Sequence, residues 1–166
     1  MRQNNRQFDR RGLLAGAGIA AIGLVACDFV GAPAEAKSFR VAMSEAEWKK
    51  KLSPSAFDVL RKEGTERPYS SPLNKEKRAG IFHCKGCDNA LFSSKTKFES
   101  GTGWPSFYKP LAGAVGTSTD RKLGYARTEV HCARCGGHLG HIFSDGPRPT
   151  GKRHCINGLS LKFIPA

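Results

Sequence analysis

Apolar and polar positions are arranged differently in three successive parts of the chain. An uncharged apolar run extends from Gly12 to Cys27 and follows a basic segment. Between Ser44 and Gly64, apolar residues recur at intervals of three and four, which is typical of amphipathic helices. Beyond Gly64 the apolar runs become short and are separated by Gly, Pro, Ser and Asn, which favours strands. The pattern predicts a basic and apolar leader, a short helical segment and a strand-rich domain.

Two short helices are predicted at the start of the folded region. Ser44 and Glu47 form the Ser-x-x-Glu pattern of a capping box, so a first helix begins at the residue after Ser44. A second helix is predicted over residues 54–63, because Ser53-Pro54 supplies an N-cap residue and a proline for the first helical position. Gly64 then ends this helix.

The strand-rich region contains apolar runs at residues 80–82, 123–126 and 159–164. A longer strand is predicted from Arg153 to Phe163. Its period of two places alternate residues on one face, namely Arg153, Cys155, Asn157, Leu159, Leu161 and Phe163. The polar end of that face would open to solvent and its apolar end would enter the core. The predicted fold is mainly β, with the two helices as a preface.

Length and composition are those of one compact domain. With 166 residues and 39% hydrophobic content the chain can bury a core, and its 19 glycines and 9 prolines disfavour an all-helical bundle. The formal net charge of +13 bears on attraction to nucleic acid, anionic lipid or acidic protein surfaces rather than on fold. Loss of residues 1–36 would leave +12, so the basic excess belongs to the domain.

Residues 1–36 have the three parts of an export signal, which are a basic start, an apolar stretch and an end of small residues. The apolar run has 16 residues, fewer than a membrane-spanning helix needs, so a permanent anchor is the weaker interpretation. Arg10-Arg11 followed by Gly12-Leu13-Leu14 is similar to the twin-arginine signal of bacterial proteins that are exported already folded. Asp9 stands where Ser or Thr is usual.

The signal could end in two ways. Ala34-Glu35-Ala36 is a small-x-small cleavage site, whereas the residues from Leu24 to Cys27 are similar to a lipobox whose cysteine becomes lipidated. Residues 37–43 then form a linker and residues 44–166 the domain. We expect the twin-arginine export machinery as a partner and the periplasm or cell envelope as the location, with membrane attachment only if Cys27 is lipidated.

A quasi-repeat organises the strand-rich domain. His83-Cys84-Lys85-Gly86-Cys87 and His131-Cys132-Ala133-Arg134-Cys135 recur with an offset of 48 residues. Each Cys-x-x-Cys turn can direct two thiolates at one centre, and two turns supply the four ligands of a closed structural zinc site. The predicted ligands of one Zn²⁺ are Cys84, Cys87, Cys132 and Cys135. The long interval between the knuckles exceeds a minimal zinc ribbon, so the metal is expected to clip two hairpins of a larger fold.

Two other interpretations of these cysteines compete with zinc. In an oxidising compartment they could form two disulfides, and a Cys-x-x-Cys motif can also be a redox pair. Neither motif lies in a strand-then-helix context, and a duplicated His-Cys-x-x-Cys knuckle favours metal. Folding before export would also permit metal loading in the cytosol.

Cys155 is the thiol left over once four cysteines are assigned to metal and Cys27 to the signal. Arg153 and His154 precede it, and their positive charge would favour the thiolate over the thiol. We therefore predict that Cys155 is a nucleophile. The alternative is a buried cysteine that packs as a small hydrophobic residue.

Further candidate chemistry lies near the second knuckle and in a glycine-flanked loop. His138 and His141 follow the knuckle, Asp145 lies close behind, and histidine can donate or accept a proton near pH 7. Four thiolates already fill a zinc shell, so these histidines are available for other roles. Trp104 lies in the loop from Gly101 to Phe107 and is either a core aromatic or a platform for a ligand.

Together these motifs resemble the methionine-R-sulfoxide reductase B family over most of the chain, from about residue 48 to residue 163. The matching segments are Gly64-Thr65-Glu66-Arg67-Pro68, the first knuckle, Ser100-Gly101-Thr102-Gly103-Trp104-Pro105-Ser106-Phe107, the second knuckle with His138-Leu139-Gly140-His141, Asp145-Gly146-Pro147 and Arg153-His154-Cys155-Ile156-Asn157. The resemblance implies a zinc-clipped β-tent of two antiparallel sheets preceded by two helices, with the zinc held away from the active site.

The resemblance also implies an activity, the reduction of the R epimer of methionine sulfoxide, free or protein-bound. Cys155 matches the family's nucleophile, which attacks the sulfoxide sulfur and leaves as a sulfenic acid. Trp104 matches the aromatic residue that packs on the substrate's methyl group. The matching polar shell is His138, His141, Asp145, Arg153 and Asn157, with His141 as the first choice for the acid. A thioredoxin-like protein or a small thiol would restore the enzyme, and we expect a monomer.

Three positions depart from common family patterns. Thr102 stands where many members carry a resolving cysteine, His154 where Tyr or Phe is frequent, and Gly158 where Ser is frequent. The first departure bears on how the enzyme is recycled. The other two should matter little.

The alternative belongs to a different class of function, a zinc-knuckle module that binds nucleic acid or has a purely structural role. The basic residues are scattered along the sequence and the chain carries an export signal, and both facts argue against a nucleic-acid partner. Loss of methionine sulfoxide reduction on Cys155→Ser, with the fold retained, would separate the enzyme from both alternatives.

Overall fold

The computed structural model describes residues 38–166. The predicted export signal, including Arg10-Arg11 and Cys27, lies outside the described residues. Within residues 38–166, no helix combines the length and the apolar content that crossing a membrane requires.

Two short helices open the described region, as their capping residues predict. Helix α1 spans Glu45–Lys51 and helix α2 spans Pro54–Lys62. The Ser44 hydroxyl accepts a hydrogen bond from the Glu47 amide, and the Glu47 carboxylate accepts one from the Ser44 amide at 2.7 Å, which completes the capping box. Helix α2 ends in a left-handed cap at Glu63, with φ 57°.

The rest of the described chain forms two antiparallel sheets, which confirms the mainly β prediction. Within residues 38–166 the strands are β1 Gly80–Cys84, β2 Ala90–Ser93, β3 Lys97–Phe98, β4 Ser106–Phe107, β5 Val115–Asp120, β6 Arg127–Cys132, β7 His138–Phe143, β8 Arg153–Ile156 and β9 Leu161–Pro165. The smaller sheet has the order β2-β1-β9, and the larger has the order β3-β4-β8-β7-β6-β5. Short 3-10 turns occupy Pro72–Lys75, Ser94–Thr96 and Gly158–Ser160.

The single strand predicted over residues 153–163 is wrong. The chain forms β8 in the larger sheet, turns at Gly158–Ser160 and continues as β9 in the smaller sheet. The break occurs at Asn157, which is buried and uses both its backbone and side-chain amides to donate to the Leu139 carbonyl, at 2.8 and 3.1 Å. Its side-chain oxygen accepts from the Glu66 amide. These bonds stop the alternation of faces at Asn157.

The apolar run at residues 123–126 is also not a strand, because it forms the turn between β5 and β6. Leu123 and Tyr125 are 60% and 59% exposed there. Gly124 adopts φ 82° and donates its amide to the Arg121 carbonyl. The positive φ at Gly124, which favours glycine, therefore makes this segment a turn although its residues are apolar.

The hydrophobic core joins the two sheets and extends beneath the helices. Phe82 of β1 meets Phe107 of β4 edge-on with ring centroids 5.0 Å apart, and Phe92 stacks on Phe107 at 4.4 Å. All three rings are fully buried. Trp48 and Leu60 from the helices belong to the same buried cluster. The core thus holds the larger sheet, which carries the site described next, rigidly against the smaller one.

Candidate active site

Strand register assembles a row of polar side chains across the larger sheet. Cys155 of β8 lies opposite His141 of β7, His141 opposite Glu129 of β6, and Glu129 opposite Ser118 of β5. Directly opposite residues project from the same face with Cβ atoms about 5 Å apart. The row therefore places the predicted nucleophile beside a histidine, with a carboxylate on the histidine's far side.

A second row lies two residues further along the same strands. Arg153 is opposite Phe143, and its guanidinium lies 4.4 Å from the centre of the Phe143 ring. Asp120 is opposite Arg127, which donates to the Asp120 carboxylate at 2.5 Å. Because side chains two residues apart in a strand share a face, both rows border the same space.

A cavity of about 120 Å³ opens at this face. It contains four of the predicted site residues, which are Cys155, His141, Asn157 and Trp104. Its full lining is Thr65, Trp104, Arg127, Gly140, His141, Phe143, Cys155 and Asn157. A partly apolar cavity with a thiol and an imidazole in its wall can hold a small molecule and offers it a nucleophile and a proton-transfer group.

The other three predicted residues lie one contact behind the cavity. His138 is 2% exposed, and its ring centroid is 5.3 Å from that of His141. Asp145 accepts two hydrogen bonds from the Arg153 guanidinium, both at 2.9 Å, and its own carboxylate faces solvent. His138, Asp145 and Arg153 do not line the cavity, so they can affect its chemistry only through the residues that they contact.

The Trp104 wall is tied to the end of β8 through one backbone segment. The Trp104 indole N–H donates to the Glu66 carbonyl at 3.1 Å, and the Glu66 amide donates to the Asn157 side chain at 3.0 Å. The carbonyl of Gly103 accepts from the Tyr69 amide at 2.7 Å. With φ 94° and the Tyr69 backbone close by, Gly103 has no room for a side chain. The indole is therefore held in place before any substrate enters.

The thiol of Cys155 is protonated at rest. Burial raises the pKa of this thiol above its ordinary 9.0, while the Thr102 hydroxyl, 3.9 Å from Sγ, and the Arg153 guanidinium act in the opposite direction. His154 does not assist, because its ring lies against the Phe107 carbonyl at 3.1 Å on the core side of β8 and burial lowers its pKa. Of the two residues predicted to lower the Cys155 pKa, Arg153 and His154, only Arg153 does so, and the effect of burial is larger.

The imidazole of His141 is neutral at rest. Burial lowers the pKa of His141 below 6.5, and this effect exceeds that of the Asp120 carboxylate, which accepts from Nε2 at 2.8 Å and acts to raise it. The charges of Arg127 and His138 lower the pKa further. The cavity therefore presents a neutral thiol on β8 and, on the facing residue of β7, a neutral imidazole.

Three polar residues of this face, Asp120, Arg127 and Glu129, are not among the site residues predicted from the sequence. The available signal was the alternation of polar residues on either side of the 121–126 turn. Pairing those residues around the turn as a hairpin would have placed Asp120 opposite Arg127 and Ser118 opposite Glu129, as the structure does.

The four predicted metal ligands cluster away from this cavity. The Sγ atoms of Cys84, Cys87, Cys132 and Cys135 all lie within 4.8 Å of one another, and all four residues are buried. The distances of 3.7 Å from Cys84 to Cys135 and 3.5 Å from Cys87 to Cys132 far exceed a disulfide bond of about 2.05 Å. They approach the edge of a tetrahedron with zinc–sulfur distances of about 2.3 Å. The donor set therefore fits zinc.

The cluster connects two hairpins, as predicted. One cysteine pair brackets the turn between β1 and β2 in the smaller sheet, and the other brackets the turn between β6 and β7 in the larger sheet. The Asn89 side chain donates to Cys132 Sγ at 3.6 Å, and Arg61 of α2 donates to the Cys135 carbonyl at 3.0 Å. Outer contacts of this kind orient thiolate ligands.

Comparison with known proteins decides the family. A family model described as the SelR domain matches residues 52–165. Proteins named peptide methionine sulfoxide reductase MsrB from Leptospira interrogans and Agrobacterium fabrum are 50% and 49% identical over 127 residues, which is 76% of this chain and 97% and 94% of theirs. The protein of that name from Methanosarcina barkeri is 55% identical over 124 residues, 74% of this chain and 87% of its own.

The chain belongs to the MsrB family. Members of the MsrB family reduce methionine sulfoxide and act on its R epimer, so this chain is an oxidoreductase and the resemblance stated from its motifs is confirmed. The non-enzymatic zinc-knuckle alternative is set aside. The family model matches residues 52–165, so the match includes both cysteine turns, Trp104 and Cys155.

Proposed function

We propose that this chain repairs oxidised methionine by attack of Cys155 on the sulfur of methionine-R-sulfoxide, with His141 as the group that moves the proton. The observation that carries the proposal is the strand register that sets Cys155 directly opposite His141 in one cavity. The protein-bound and the free sulfoxide both present the chemical group that this cavity can hold. Protein repair follows if the bound form is the natural substrate.

The reaction balances with the proton that the resting thiol carries. As Cys155 Sγ bonds to the sulfoxide sulfur, its proton passes to Nδ1 of His141 and from there to the sulfoxide oxygen. The sulfur–oxygen bond of the substrate and the newly formed bond from Sγ to the substrate sulfur then break. The hydroxyl goes to Sγ, and methionine leaves with the electron pair of the broken sulfur–sulfur bond. Cys155 is oxidised to a sulfenic acid while the sulfoxide is reduced to a thioether.

The remaining cavity residues orient the substrate. The Trp104 indole and the Phe143 ring offer apolar surface for the sulfur-bound methyl group. Asn157 is held by Leu139 and Glu66 and also lines the cavity. A methyl wall on one side and a proton donor on another would discriminate between the two epimers, which differ in the positions of methyl and oxygen.

We assign one structural Zn²⁺ to Cys84, Cys87, Cys132 and Cys135, on the chemistry of the donor set and its buried, near-tetrahedral spacing. When bound, the metal would supply cross-linking of the two sheets and no step of the reaction, because none of its ligands lines the cavity. We propose that the enzyme acts as a monomer and has no nucleic-acid partner.

Recycling of the enzyme requires an external thiol. Thr102 lies 3.9 Å from Cys155 Sγ, at the position where a resolving cysteine would serve, and a hydroxyl cannot form a disulfide. The other described cysteines form the metal cluster. A small thiol or a thioredoxin-like protein would attack the Cys155 sulfenic acid, releasing water and forming a mixed disulfide that a second thiol then reduces.

One equivalent of methionine-R-sulfoxide, added without reductant, is therefore expected to leave Cys155 as a sulfenic acid that a dimedone-type probe traps stoichiometrically. Mass spectrometry of the labelled peptide measures the yield. The S epimer is the matched control and should give no label. A stoichiometric disulfide between Cys155 and another cysteine of the same chain would contradict the recycling scheme, and equal labelling by both epimers would contradict the substrate assignment.

We propose further that the chain is exported through the twin-arginine route to the periplasm or cell envelope. The support is the sequence alone, in the Arg10-Arg11 pair before a glycine-containing apolar run. Changing both arginines to lysine is expected to leave unprocessed protein in the cytoplasm, as fractionation and immunoblotting would show. Normal processing of that variant would point to the general secretory route. Mass spectrometry of the mature protein distinguishes cleavage after Ala36 from lipidation of Cys27.

A further inference from the structure

Two histidines near the cavity each bond to a different carboxylate from the β5–β6 hairpin. Nε2 of His141 lies 2.8 Å from the Asp120 carboxylate, and Nδ1 of His138 lies 2.8 Å from the Glu129 carboxylate. Neither carboxylate lines the cavity. The two acidic side chains are 8% and 14% exposed, so they form a layer behind the histidines.

Both carboxylates are held by further donors. Asp120 accepts from the Lys122 amide at 2.8 Å and from Arg127 at 2.5 Å. Glu129 accepts from the Ser118 hydroxyl and lies 3.9 Å from Nδ1 of His131. These bonds lower the pKa of Asp120, and the His138 bond is the largest cause that lowers the pKa of Glu129 to about 2. Both groups are ionised at neutral pH and can only accept hydrogen bonds.

An obligatory acceptor decides where the proton of a neutral imidazole lies. His141 must carry its proton on Nε2, facing Asp120, which leaves the lone pair on Nδ1. His138 must carry its proton on Nδ1, facing Glu129, which leaves the lone pair on Nε2. In residues 38–166 that Nε2 is buried and has no hydrogen-bond partner. The two rings therefore take opposite tautomers although they are neighbours on one strand.

We propose that Asp120 and Glu129 are positioning residues of the reductase reaction, and that they fix opposite tautomers on His141 and His138. Asp120 acts through His141 by reserving Nδ1 for the proton that passes from the Cys155 thiol to the sulfoxide oxygen. Glu129 acts through His138 by holding Nδ1–H of that ring, which lies beside His141, in a fixed orientation. The kinetic part of this inference rests on the proposed role of His141, whereas the tautomers can be measured without substrate.

The groups that face His141 set the expected pH dependence. From β5, β6, β7 and β8 these are Asp120, Arg127, Glu129, His138 and Cys155. In the wild type, kcat/KM should rise through the His141 pKa, which lies below 6.5, and fall through the Cys155 pKa, which lies above 9.0. The Asp120 charge raises the His141 pKa, so its removal lowers that pKa. Its removal also leaves the positive charge of Arg127 without its paired carboxylate, which lowers the His141 pKa further.

The first test is the tautomer state of the resting wild-type protein, measured by long-range ¹H–¹⁵N NMR of the histidine side chains near pH 7.5. We expect His141 as the Nε2–H form and His138 as the Nδ1–H form. An Nδ1–H form of His141 would overturn the proposal for Asp120, and an Nε2–H form of His138 would overturn it for Glu129. This measurement uses the wild-type protein and does not depend on its enzymatic activity.

The second test compares Asp120→Asn with Glu129→Gln and with Asp58→Asn, a matched change on the exposed surface of α2. For Asp120→Asn we expect kcat to fall by about tenfold or more and the rising limb of kcat/KM to move to lower pH by about one unit, with the falling limb unchanged. Glu129→Gln should change the His138 signals and leave the His141 tautomer unchanged. Asp58→Asn should behave as the wild type.

The outcomes separate this proposal from the proposed function. If Asp120→Asn loses stability or activity while its pH profile stays that of the wild type, Asp120 has only a structural role and the proposal is wrong. If the resting tautomers are as expected but His141→Ala reduces methionine sulfoxide at the wild-type rate, the assignment of His141 fails and the tautomer assignment stands. An unstable Asp120→Asn variant leaves the wild-type NMR result to decide.

Discussion

Substitution of Cys155 by serine is expected to reduce the rate of methionine-R-sulfoxide reduction by about three orders of magnitude or more, because a hydroxyl is a far weaker nucleophile toward sulfur than a thiol. The fold should remain, since serine is nearly the same size and Cys155 is not part of the core cluster. Turnover of an oxidised peptide measures the first effect. Thermal unfolding, with a melting temperature close to that of the wild type, measures the second.

The same substitution at a metal-cluster cysteine is the matched control. Cys155→Ser should retain its full complement of zinc, whereas a cluster variant should not. A Cys155→Ser protein with activity within about tenfold of the wild type would remove Cys155 from the role of nucleophile.

Zinc content and stability are expected to fall together when Cys84 or Cys132 is changed to serine. The wild type should contain one zinc per chain, and each variant should lose most of it and more than about 4 kcal/mol of unfolding free energy, because metal binding and folding are coupled. The loss should be global, since one cysteine pair belongs to each sheet. Elemental analysis and denaturant unfolding give the two quantities.

Two results would contradict the zinc assignment. One is a wild-type protein that contains no metal and has both Cys-x-x-Cys pairs as disulfides. The other is a Cys84→Ser variant that unfolds at the wild-type denaturant concentration, because the cluster would then contribute nothing to holding the sheets together.

Features encoded by neighbouring residues could be predicted from the sequence. The capping box of Ser44 and Glu47 places the first helix correctly, because both partners lie within one helical turn. The two Cys-x-x-Cys turns identify the metal cluster, because each turn fixes its own pair and only one further contact is then needed. The nucleophile candidate followed from the same cysteine count.

Features that depend on partners distant in sequence could not be predicted in this way. A period of two is the same whether a strand continues in one sheet or crosses to another, so the change of sheet at Asn157 left no trace in the 153–163 pattern. Asp120 and Glu129 meet His141 and His138 only through the register of three strands. Burial of Cys155, which reverses the expected direction of its pKa, also depends on packing that the local sequence does not describe.

The position of β8 in the larger sheet affects the order in which the two sheets can assemble during synthesis. This strand lies between β4 and β7 in the larger sheet, yet it comes after both in the chain. All four cluster cysteines precede Cys155 in the sequence, the last of them by twenty residues. During synthesis from the N-terminus, both cysteine turns are therefore complete before the ribosome reaches Cys155. The strand that carries Cys155 is added late, between neighbours that the chain has already produced, and β9 completes the smaller sheet last.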